Sequence, residues 1–279
     1  MLTVLQGDCV ETLKTVEDNT VQCCVTSPPY WGLRDYGVKG QLGLETTFES
    51  YLNNMVAVFK EVRRVLTKTG TLWLNIGDSY AGSGKGRNAD GSHQSGGKQG
   101  TNKGSIQGVL QKTKCNGVRR KNLIGIPWRL AFALQKDGWN LRQDVIWHKP
   151  NAMPESVKDR CTNAHEYFFM LTKSDKYHFD SLAIQEQGVS TGVRNKRSVW
   201  TVNTKAYRNA HFATFPAELI QPCILASSAK NDIVLDPFGG SGTTGQVALQ
   251  LGRKAILCEL NPKYIPLIEE RTENVGLGL

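Results

Sequence analysis

The sequence contains no apolar run approaching the ~20 residues that a membrane-spanning helix needs, and its mean hydropathy is -0.35. Its first residues, MLTVLQGDCVETL, do not have the basic segment and following apolar stretch that are typical of a secretion signal. Hydrophobic residues make up 39% of the 279 positions and charged residues 21%, a balance typical of a chain that buries a substantial core. These features argue against a membrane protein and a disordered one, and they predict a cytoplasmic globular protein.

Cysteine pairs at metal-ligand spacing are also missing. The seven cysteines are scattered along the chain, and no two of them form a C-x-x-C motif. A dispersed, odd-numbered set favours neither a disulfide framework nor a cysteine zinc site. We therefore expect free thiols and no bound metal.

Acidic residues are almost absent from one stretch. Residues 81–121 contain nine Lys or Arg and a single acid, Asp90, so this segment alone carries +8 of the net charge of +9. Its ten glycines and lack of aromatic residues predict a flexible basic insertion that buries little apolar surface. A second basic stretch, 186–209, has five basic residues against Glu186. Both stretches suggest a polyanionic partner, although composition alone fits a solvated linker equally well.

Short β-rich runs alternate with amphipathic stretches along the rest of the chain. The predicted strands are 2–6, 21–26, 70–76, 141–148, 166–172, 232–236 and 254–258, and the predicted helices are 9–16, 48–66, 126–136, 216–228, 243–251 and 262–273. This alternation is typical of an α/β fold in which helices cover a mostly parallel sheet. We predict one such domain over residues 1–279, with a seven-stranded sheet and two excursions at 81–121 and 186–209.

A glycine-rich turn follows the predicted strand at 232–236. Gly240, Gly242 and Gly245 match G-x-G-x-x-G between a strand and a helix. Glycines allow a sharp turn and a close approach of the backbone to a ligand, and the following helix N-terminus favours a negative group. Glu259 ends the next strand, where an acidic side chain typically receives ribose hydroxyls. The pattern predicts a nucleoside-containing cofactor, and at this point NAD and S-adenosylmethionine both stay open.

The order of the strands favours the methyl donor. Only one predicted strand follows the glycine turn, whereas an NAD-binding unit normally opens with this turn and continues through several strands. The other strands of the sheet must come from the N-terminal part of the chain, which predicts a circularly permuted order. The strand at 2–6 is then the third strand of the cofactor half, with Asp8 at its carboxyl end.

A second candidate motif, Thr26-Ser27-Pro28-Pro29-Tyr30-Trp31, follows the strand at 21–26. Two consecutive prolines fix the backbone and remove two N–H donors. Ser27 Oγ and the Pro28 carbonyl remain as a rigid pair of acceptors, and Tyr30 or Trp31 offers a ring face. This arrangement suits a heterocycle with an exocyclic amine. A proline turn with aromatic side chains in the core is the alternative that the motif alone leaves open.

Three motifs together resemble one known family. TSPPYW, DPFGGSGTT and HFATFP at 211–216 look like the amino-methylating DNA methyltransferases of bacteria and phages, in an order similar to the β group of that family. The stretches at 72–80, 138–160 and 261–265 are similar as well. The resemblance implies a Rossmann-like fold, S-adenosylmethionine as the cofactor and double-stranded DNA as the substrate. A homodimer and a cognate restriction endonuclease are further partners that it allows.

The resemblance also assigns roles to residues. The catalytic motif comprises Ser27, Pro28, Pro29 and Tyr30. The cofactor-binding residues are Asp236, Phe238, Gly240 and Gly242 at the methionine part, Pro237 and Thr243 beside them, Glu259 at the ribose, Phe215 in the pocket wall and Asp8 near the adenine. The residues expected to contact DNA are Trp31, then Lys85, Arg87, Lys112, Lys114, Arg119 and Arg120 of the basic insertion, and Arg194, Lys196 and Arg197. The usual recognition region is short here, so we expect the insertion to share its role.

The predicted reaction is methyl transfer to the N4 amine of cytosine, because serine at the first catalytic position resembles mostly that subgroup. The two acceptors would hold the amine hydrogens of a flipped-out base and favour a pyramidal, nucleophilic nitrogen. Adenine N6 methylation on the same scaffold stays open. An NAD-dependent oxidoreductase would leave SPPYW without a purpose, and an inactive DNA-binding protein would not retain every cofactor residue. Cys223 lies in a helical pattern and is expected to be buried rather than nucleophilic.

Overall fold

The structure of the protein, a computed structural model, describes residues 1–82, 117–188, 192–205, 215–273 and 275. In chain order its elements are β1 (Leu2–Gln6), α1 (Cys9–Leu13), β2 (Val21–Thr26), α2 (Phe48–Val65), β3 (Leu66–Ile76), α3 (Ile126–Lys136), β4 (Asn140–His148), β5 (His165–Thr172), β6 (Glu186–Gln187), β7 (Val193–Arg194), β8 (Val199–Thr201), α4 (Ala217–Ser227), β9 (Ile233–Asp236), α5 (Thr243–Gln250), β10 (Lys254–Glu259) and α6 (Ile265–Glu273). No helix in these ranges combines the length and the apolar character needed to cross a bilayer.

One large sheet has the strand order β1-β10-β9-β2-β3-β5-β4-β8, and β6 pairs with β7 in a separate ladder. Among the described strands of the large sheet, β5 alone runs against its neighbours, β3 and β4. Every other pairing in that sheet is parallel. The predicted α/β fold with a mostly parallel sheet is thus confirmed.

The predicted permutation is also confirmed. The C-terminal strands β9 and β10 are neighbours, and the N-terminal strand β1 completes this half of the sheet beside β10. Their register pairs Leu2 with Ala255 and Gln6 with Glu259, so both strands end at the same edge. Since β2 lies on the other side of β9, the segments that follow β1, β2, β9 and β10 all meet at this edge.

The predicted number of seven strands is wrong, because β8 adds an eighth strand beside β4. It lies inside the basic stretch 186–209 and is only three residues long. Its central residue, Trp200, packs on Trp73 and Phe168 with ring centroids 6.0 and 6.3 Å apart. A strand this short has too little periodicity to be predicted, and its position depends on contacts that arise only in the folded chain.

Apolar side chains pack on both faces of the sheet. On one face α1, α2 and α3 contribute Leu13, Phe59 and Leu134 to a continuous core. On the other, α4 and α5 contribute Cys223 and Val247 to a second cluster. Burial of an aromatic or large aliphatic side chain in such a core stabilises the fold by about 1.5–3 kcal/mol. The two layers hold the sheet rigidly and leave the carboxyl edge of its parallel strands open.

The ends of the basic insertion are joined at its base. The backbone N–H of Lys121 donates to the carbonyl of Ala81, and the N–H of Ala81 donates to the carbonyl of Asn122, both at 2.9 Å. Tyr80 and Leu123 form the adjacent antiparallel bridge. The insertion therefore leaves the domain and returns to it at one point. Residues 83–116 lie outside the described part of the chain, so the predicted flexibility stays a prediction.

Candidate active site

A cavity of about 290 Å³ opens at the carboxyl edge of the sheet, and it brings the two sequence motifs together. The predicted catalytic and cofactor residues that line it are Asp8, Ser27, Pro28, Pro29, Tyr30, Phe215, Asp236, Pro237, Phe238, Gly240, Thr243 and Glu259. Gly242 is the one residue of those two predicted groups that does not line it. Motifs more than two hundred positions apart in the chain therefore form one site.

Gly240 and Gly242 have different roles in the glycine turn. Gly240 lines the cavity and has a φ of 54°, a backbone conformation that side chains disfavour. Gly242 has a φ of 83°, and a Cβ there would lie 3.1 Å from the Cα of Ile268 in α6. Gly242 therefore faces α6 and permits the close packing of that helix, while its predicted cofactor contact stays a prediction.

Glu259 closes one side of the glycine turn. Its Oε2 accepts a 2.7 Å hydrogen bond from the N–H of Gly240, and its Oε1 accepts one of 2.7 Å from the N–H of Asn261. The residue is 8% exposed. Burial raises the pKa of its carboxyl group to about 7, although the backbone donors favour the charged form. Each carboxylate oxygen keeps lone-pair capacity for a ribose hydroxyl.

Asp236, the last residue of β9, fixes the glycine turn through three hydrogen bonds. Its Oδ1 accepts hydrogen bonds from Thr26 Oγ1 at 2.6 Å and from the N–H of Phe238 at 3.0 Å, and its Oδ2 accepts one from Thr244 Oγ1 at 2.7 Å. Burial raises the pKa of this carboxyl group. These three donors tie the end of β9 to the end of β2 and to α5. Asp236 therefore shapes the pocket floor between the two motifs.

Two other predicted cofactor residues also hold local structure. Asp8 is the N-cap of α1, where its Oδ1 accepts from the N–H of Val10 at 2.9 Å and from that of Glu11 at 3.3 Å. Thr243 Oγ1 accepts a 2.7 Å hydrogen bond from Arg271. Both residues line the cavity while performing these roles. Carboxylates and apolar rings around one cavity form an acceptor and packing set that fits S-adenosylmethionine.

The catalytic motif is held by its neighbours. Tyr51 donates a 3.0 Å hydrogen bond to the carbonyl of Pro29, which fixes the second proline. Among the described residues, no protein donor reaches the carbonyl of Pro28, although this proline lines the cavity. That carbonyl therefore keeps its acceptor capacity. Ser27 lies beside it on the same wall.

Tyr30 is anchored through its hydroxyl group. It donates a 2.7 Å hydrogen bond to Glu166 Oε2, and Ser27 Oγ lies 3.4 Å from the same hydroxyl. Asn75 Nδ2 donates to that carboxylate oxygen at 3.1 Å, and Lys149 forms an ion pair with the other oxygen. Burial, together with the charge of Glu166, raises the pKa of Tyr30 well above its ordinary value. The aromatic ring of the motif is thus held in one position.

Sequence reasoning missed three members of this cluster. Asn75, Lys149 and Glu166 are not among the predicted site residues. Asn75 and Lys149 lie in the stretches 72–80 and 138–160 that resemble the family, which was the available signal, whereas Glu166 lies outside them. Arg34 also lines the cavity and was missed, although it lies only three residues after the motif 26–31.

The prediction that Trp31 contacts DNA is wrong in this structure. Its side chain is 1% exposed, and its Nε1 donates a 2.8 Å hydrogen bond to the carbonyl of Glu45. Its ring packs edge-on against Phe48. A large apolar ring with a satisfied N–H group is stable in a core. Trp31 therefore supports the catalytic motif from behind.

The other predicted DNA contacts fall into three groups. Arg194, Lys196 and Arg197 surround Glu186 at 2.9, 3.9 and 3.8 Å, so one acid partly neutralises three cations. Arg119 and Arg120 are exposed at the base of the insertion. The remaining predicted contacts lie outside the described residues, namely Lys85, Arg87, Lys112 and Lys114.

Thiol chemistry is not favoured here. Cys223 is fully buried in α4, as expected, and burial raises its pKa well above the ordinary value. Cys9 and Cys258 line the cavity, but burial raises the pKa of both thiols as well. A thiol rather than a thiolate is a poor nucleophile at neutral pH. The acceptors of the catalytic motif are the groups suited to chemistry.

The fold and the cavity define a Rossmann-like methyltransferase with S-adenosylmethionine as its cofactor. The sequence pattern of the N6/N4 DNA methylase family matches residues 21–270. The chain belongs to this DNA methylase family. The protein is accordingly a DNA methyltransferase, and the oxidoreductase alternative finds no support.

Relatives and solved structures agree with this membership. The chain is 52% identical to the type II methyltransferase M.Cfr9I of Citrobacter freundii over 271 residues, which are 97% of this chain and 87% of the relative. It is 46% identical to M.SmaI of Serratia marcescens over 270 residues, 96% of this chain and 89% of the relative.

Two solved structures show the same fold. The cytosine-N4-specific PvuII DNA methyltransferase superposes with a TM-score of 0.69 at 19% identity, covering 100% of this chain and 93% of that one. A DNA modification methylase of Thermus thermophilus, complexed with S-adenosyl-L-methionine, superposes with a TM-score of 0.66 at 23% identity, covering 100% and 96%.

Proposed function

We propose that the protein methylates the exocyclic N4 amine of cytosine in double-stranded DNA. The observation that carries this proposal is the juxtaposition of Ser27 and Pro28 with Phe238 and Glu259 around one cavity. An amine held at the first pair lies beside the predicted cofactor residues. Serine in the catalytic motif and the similarity in fold to a cytosine-N4-specific enzyme support cytosine over adenine.

The amine of a nucleobase is a poor nucleophile because its lone pair is delocalised into the ring. Ser27 Oγ and the Pro28 carbonyl each accept one amine hydrogen, which favours a pyramidal nitrogen with a localised lone pair. When bound, S-adenosylmethionine supplies an activated sulfonium methyl group. The protein contributes alignment and fixed dipoles, which are effective because they need no rearrangement during the reaction.

The target base must leave the duplex to reach this cavity. The ring of Tyr30 lines the cavity and offers a face for the flipped base, with its hydroxyl held by Glu166. Stacking of this kind replaces about 1–3 kcal/mol of the lost base stacking. The immobilised ring makes the stacking surface available without an ordering cost.

Outside the cavity, the basic insertion and the 186–209 stretch bind the DNA backbone. The names of the type II relatives support a role in a cytoplasmic restriction-modification system. The homodimer and the cognate restriction endonuclease stay predictions.

The base assignment is tested by mass spectrometry. Purified protein is incubated with DNA and S-adenosylmethionine that carries a trideuterated methyl group, and the DNA is digested to nucleosides. We expect labelled N4-methylcytosine. Labelled N6-methyladenine would identify the alternative adenine enzyme, and the absence of both would contradict amino-methylation itself.

A further inference from the structure

The reversed strand β5 brings a carboxylate to the catalytic edge. In parallel strands the carboxyl ends meet at this edge, but β5 presents its amino end there because it is antiparallel to β3 and β4. Glu166, its second residue, therefore lines the cavity 136 positions from Tyr30 in the chain. Lys149 follows β4 and reaches the same carboxylate.

The Lys149–Glu166 ion pair carries a desolvation cost that a contact serving only stability would not justify. The side chains of Lys149 and Glu166 are only 16% and 17% exposed. Removing two charges from water carries a desolvation penalty that their attraction often does not repay, so such a pair is weak evidence for stability. The Lys149 ammonium also lies 4.4 Å from the ring centroid of Trp147, and both residues line the cavity.

Gly77 leaves space for the contact between the Tyr30 ring and the Glu166 carboxylate. A Cβ at Gly77, which follows β3, would lie 2.8 Å from Tyr30 Cε2 and 3.5 Å from Glu166 Cδ. Only a residue without a side chain allows the tyrosine ring and the carboxylate to meet there. Asn75 is itself oriented, because its Nδ2 donates to both Glu166 Oε2 and the Tyr167 carbonyl at 3.1 Å.

The ion pair fixes the direction of the hydrogen bonds at the catalytic motif. A carboxylate paired with an ammonium group can only accept, so the proton of Tyr30 points to Glu166 at 2.7 Å rather than to Asn75 Oδ1, the longer contact at 3.2 Å. The phenol oxygen is then an acceptor for Ser27, whose Oγ lies 3.4 Å away. The proton of Ser27 is then engaged with Tyr30, which leaves the lone pairs of Oγ free to accept from a substrate amine.

We infer that Glu166 is a positioning residue that makes Ser27 an acceptor for the substrate amine, acting through the hydroxyl of Tyr30. A hydroxyl group can donate or accept, and only an accepting Ser27 stabilises an amine that is developing positive charge. The carboxylate also polarises Tyr30 and, through it, Ser27. The inference rests on the proposed function, because it specifies how the proposed amine acceptor is oriented.

Glu166→Gln tests the inference with little change in shape. The amide can turn its NH2 group toward Tyr30, which redirects the tyrosine proton to Asn75 Oδ1 at 3.2 Å or to Ser27 Oγ at 3.4 Å and removes the fixed direction of the Ser27 hydroxyl. We expect kcat to fall by about 100-fold, the typical loss for one preorganised polar partner. Cofactor affinity by calorimetry and KM for DNA should change by less than about threefold, because both ligands keep their contacts.

Tyr30→Phe provides an independent variant, since it keeps the stacking ring and removes only the hydroxyl. If both residues act through one chain of hydrogen bonds, the double variant is no slower than the slower single variant. The matched control is Glu155→Gln, which breaks the Glu155–Arg160 ion pair outside the cavity and should retain wild-type kcat. Thermal unfolding of every variant separates misfolding from loss of function.

The outcomes distinguish the inference from the proposed function. Wild-type kcat in folded Glu166→Gln, a multiplicative loss in the double variant, or a loss confined to KM overturns the positioning role and leaves the function intact. Absence of N4-methylcytosine as the wild-type product overturns the proposed function instead. A shared, non-additive loss in kcat supports the inference.

Discussion

The carboxylate of Glu259 accepts a 2.7 Å hydrogen bond from the backbone N–H of Gly240. This contact joins the end of β10 to the glycine turn after β9, so the acid and the turn that frame the cofactor site hold each other in place. Burial at this position raises the pKa of Glu259 to about 7. The acid therefore changes its charge within an accessible pH range.

Cofactor binding should weaken as the pH falls through about 7. Ribose hydroxyls donate to the ionised carboxylate, whereas protonation in the free protein competes with them. At pH 6 only about one tenth of a group with this pKa is ionised, so affinity should be about tenfold lower than at pH 8. Calorimetry with 5′-methylthioadenosine measures this effect, because that ligand carries the ribose but no titrating amino-acid part.

The control for this titration is Glu259→Gln, whose affinity should be lower and nearly constant between pH 6 and pH 8. An equal pH dependence in the variant would assign the titration to another group and remove Glu259 from the ribose site.

Gly242→Ala should destabilise the fold through α6. The left-handed φ of 83° strains any side chain, and the new Cβ would meet Ile268 at 3.1 Å. Backbone strain of this kind costs about 1–3 kcal/mol, and the contact adds to it. Gly117→Ala is the matched control, with a φ of 79° and nothing within 4 Å of its Cβ. Urea unfolding should show the larger loss for Gly242→Ala, and equal losses would argue against the packing role.

Removing the basic insertion should flatten the salt dependence of DNA binding. Residues 85–114 contain six Lys or Arg, and each phosphate contact contributes a slope of about −0.9 in log affinity against log salt. The ends of the insertion are already joined at its base, so a short linker can replace it. Fluorescence anisotropy over a salt series measures the slope.

A second variant of the insertion keeps its length and replaces the six cations with Gln. It should show the same flattening as the deletion. An unchanged slope in both variants would identify the segment as a linker without a role in binding.

Most elements of the fold could be predicted because strands and helices alternate with clear periodicity and because the glycine turn has a local signature. The cofactor cavity followed from the topology, since parallel strands end at one edge. The pair Lys149 and Glu166 could not be predicted, because it reaches that edge only through the reversal of β5. Trp31 was misassigned because its neighbours in the motif face the cavity, whereas its own ring faces the core.

The most direct test of the account is the single-turnover methylation rate of Ser27→Ala, measured together with its cofactor affinity. Because Ser27 acts as an acceptor and makes no covalent bond, the rate should fall by about 100-fold or more while cofactor affinity stays within about twofold of wild type. Ser27→Asp restores an acceptor at this position and should recover part of the rate. A wild-type rate in Ser27→Ala would contradict the acceptor role of Ser27 and the mechanism built on it.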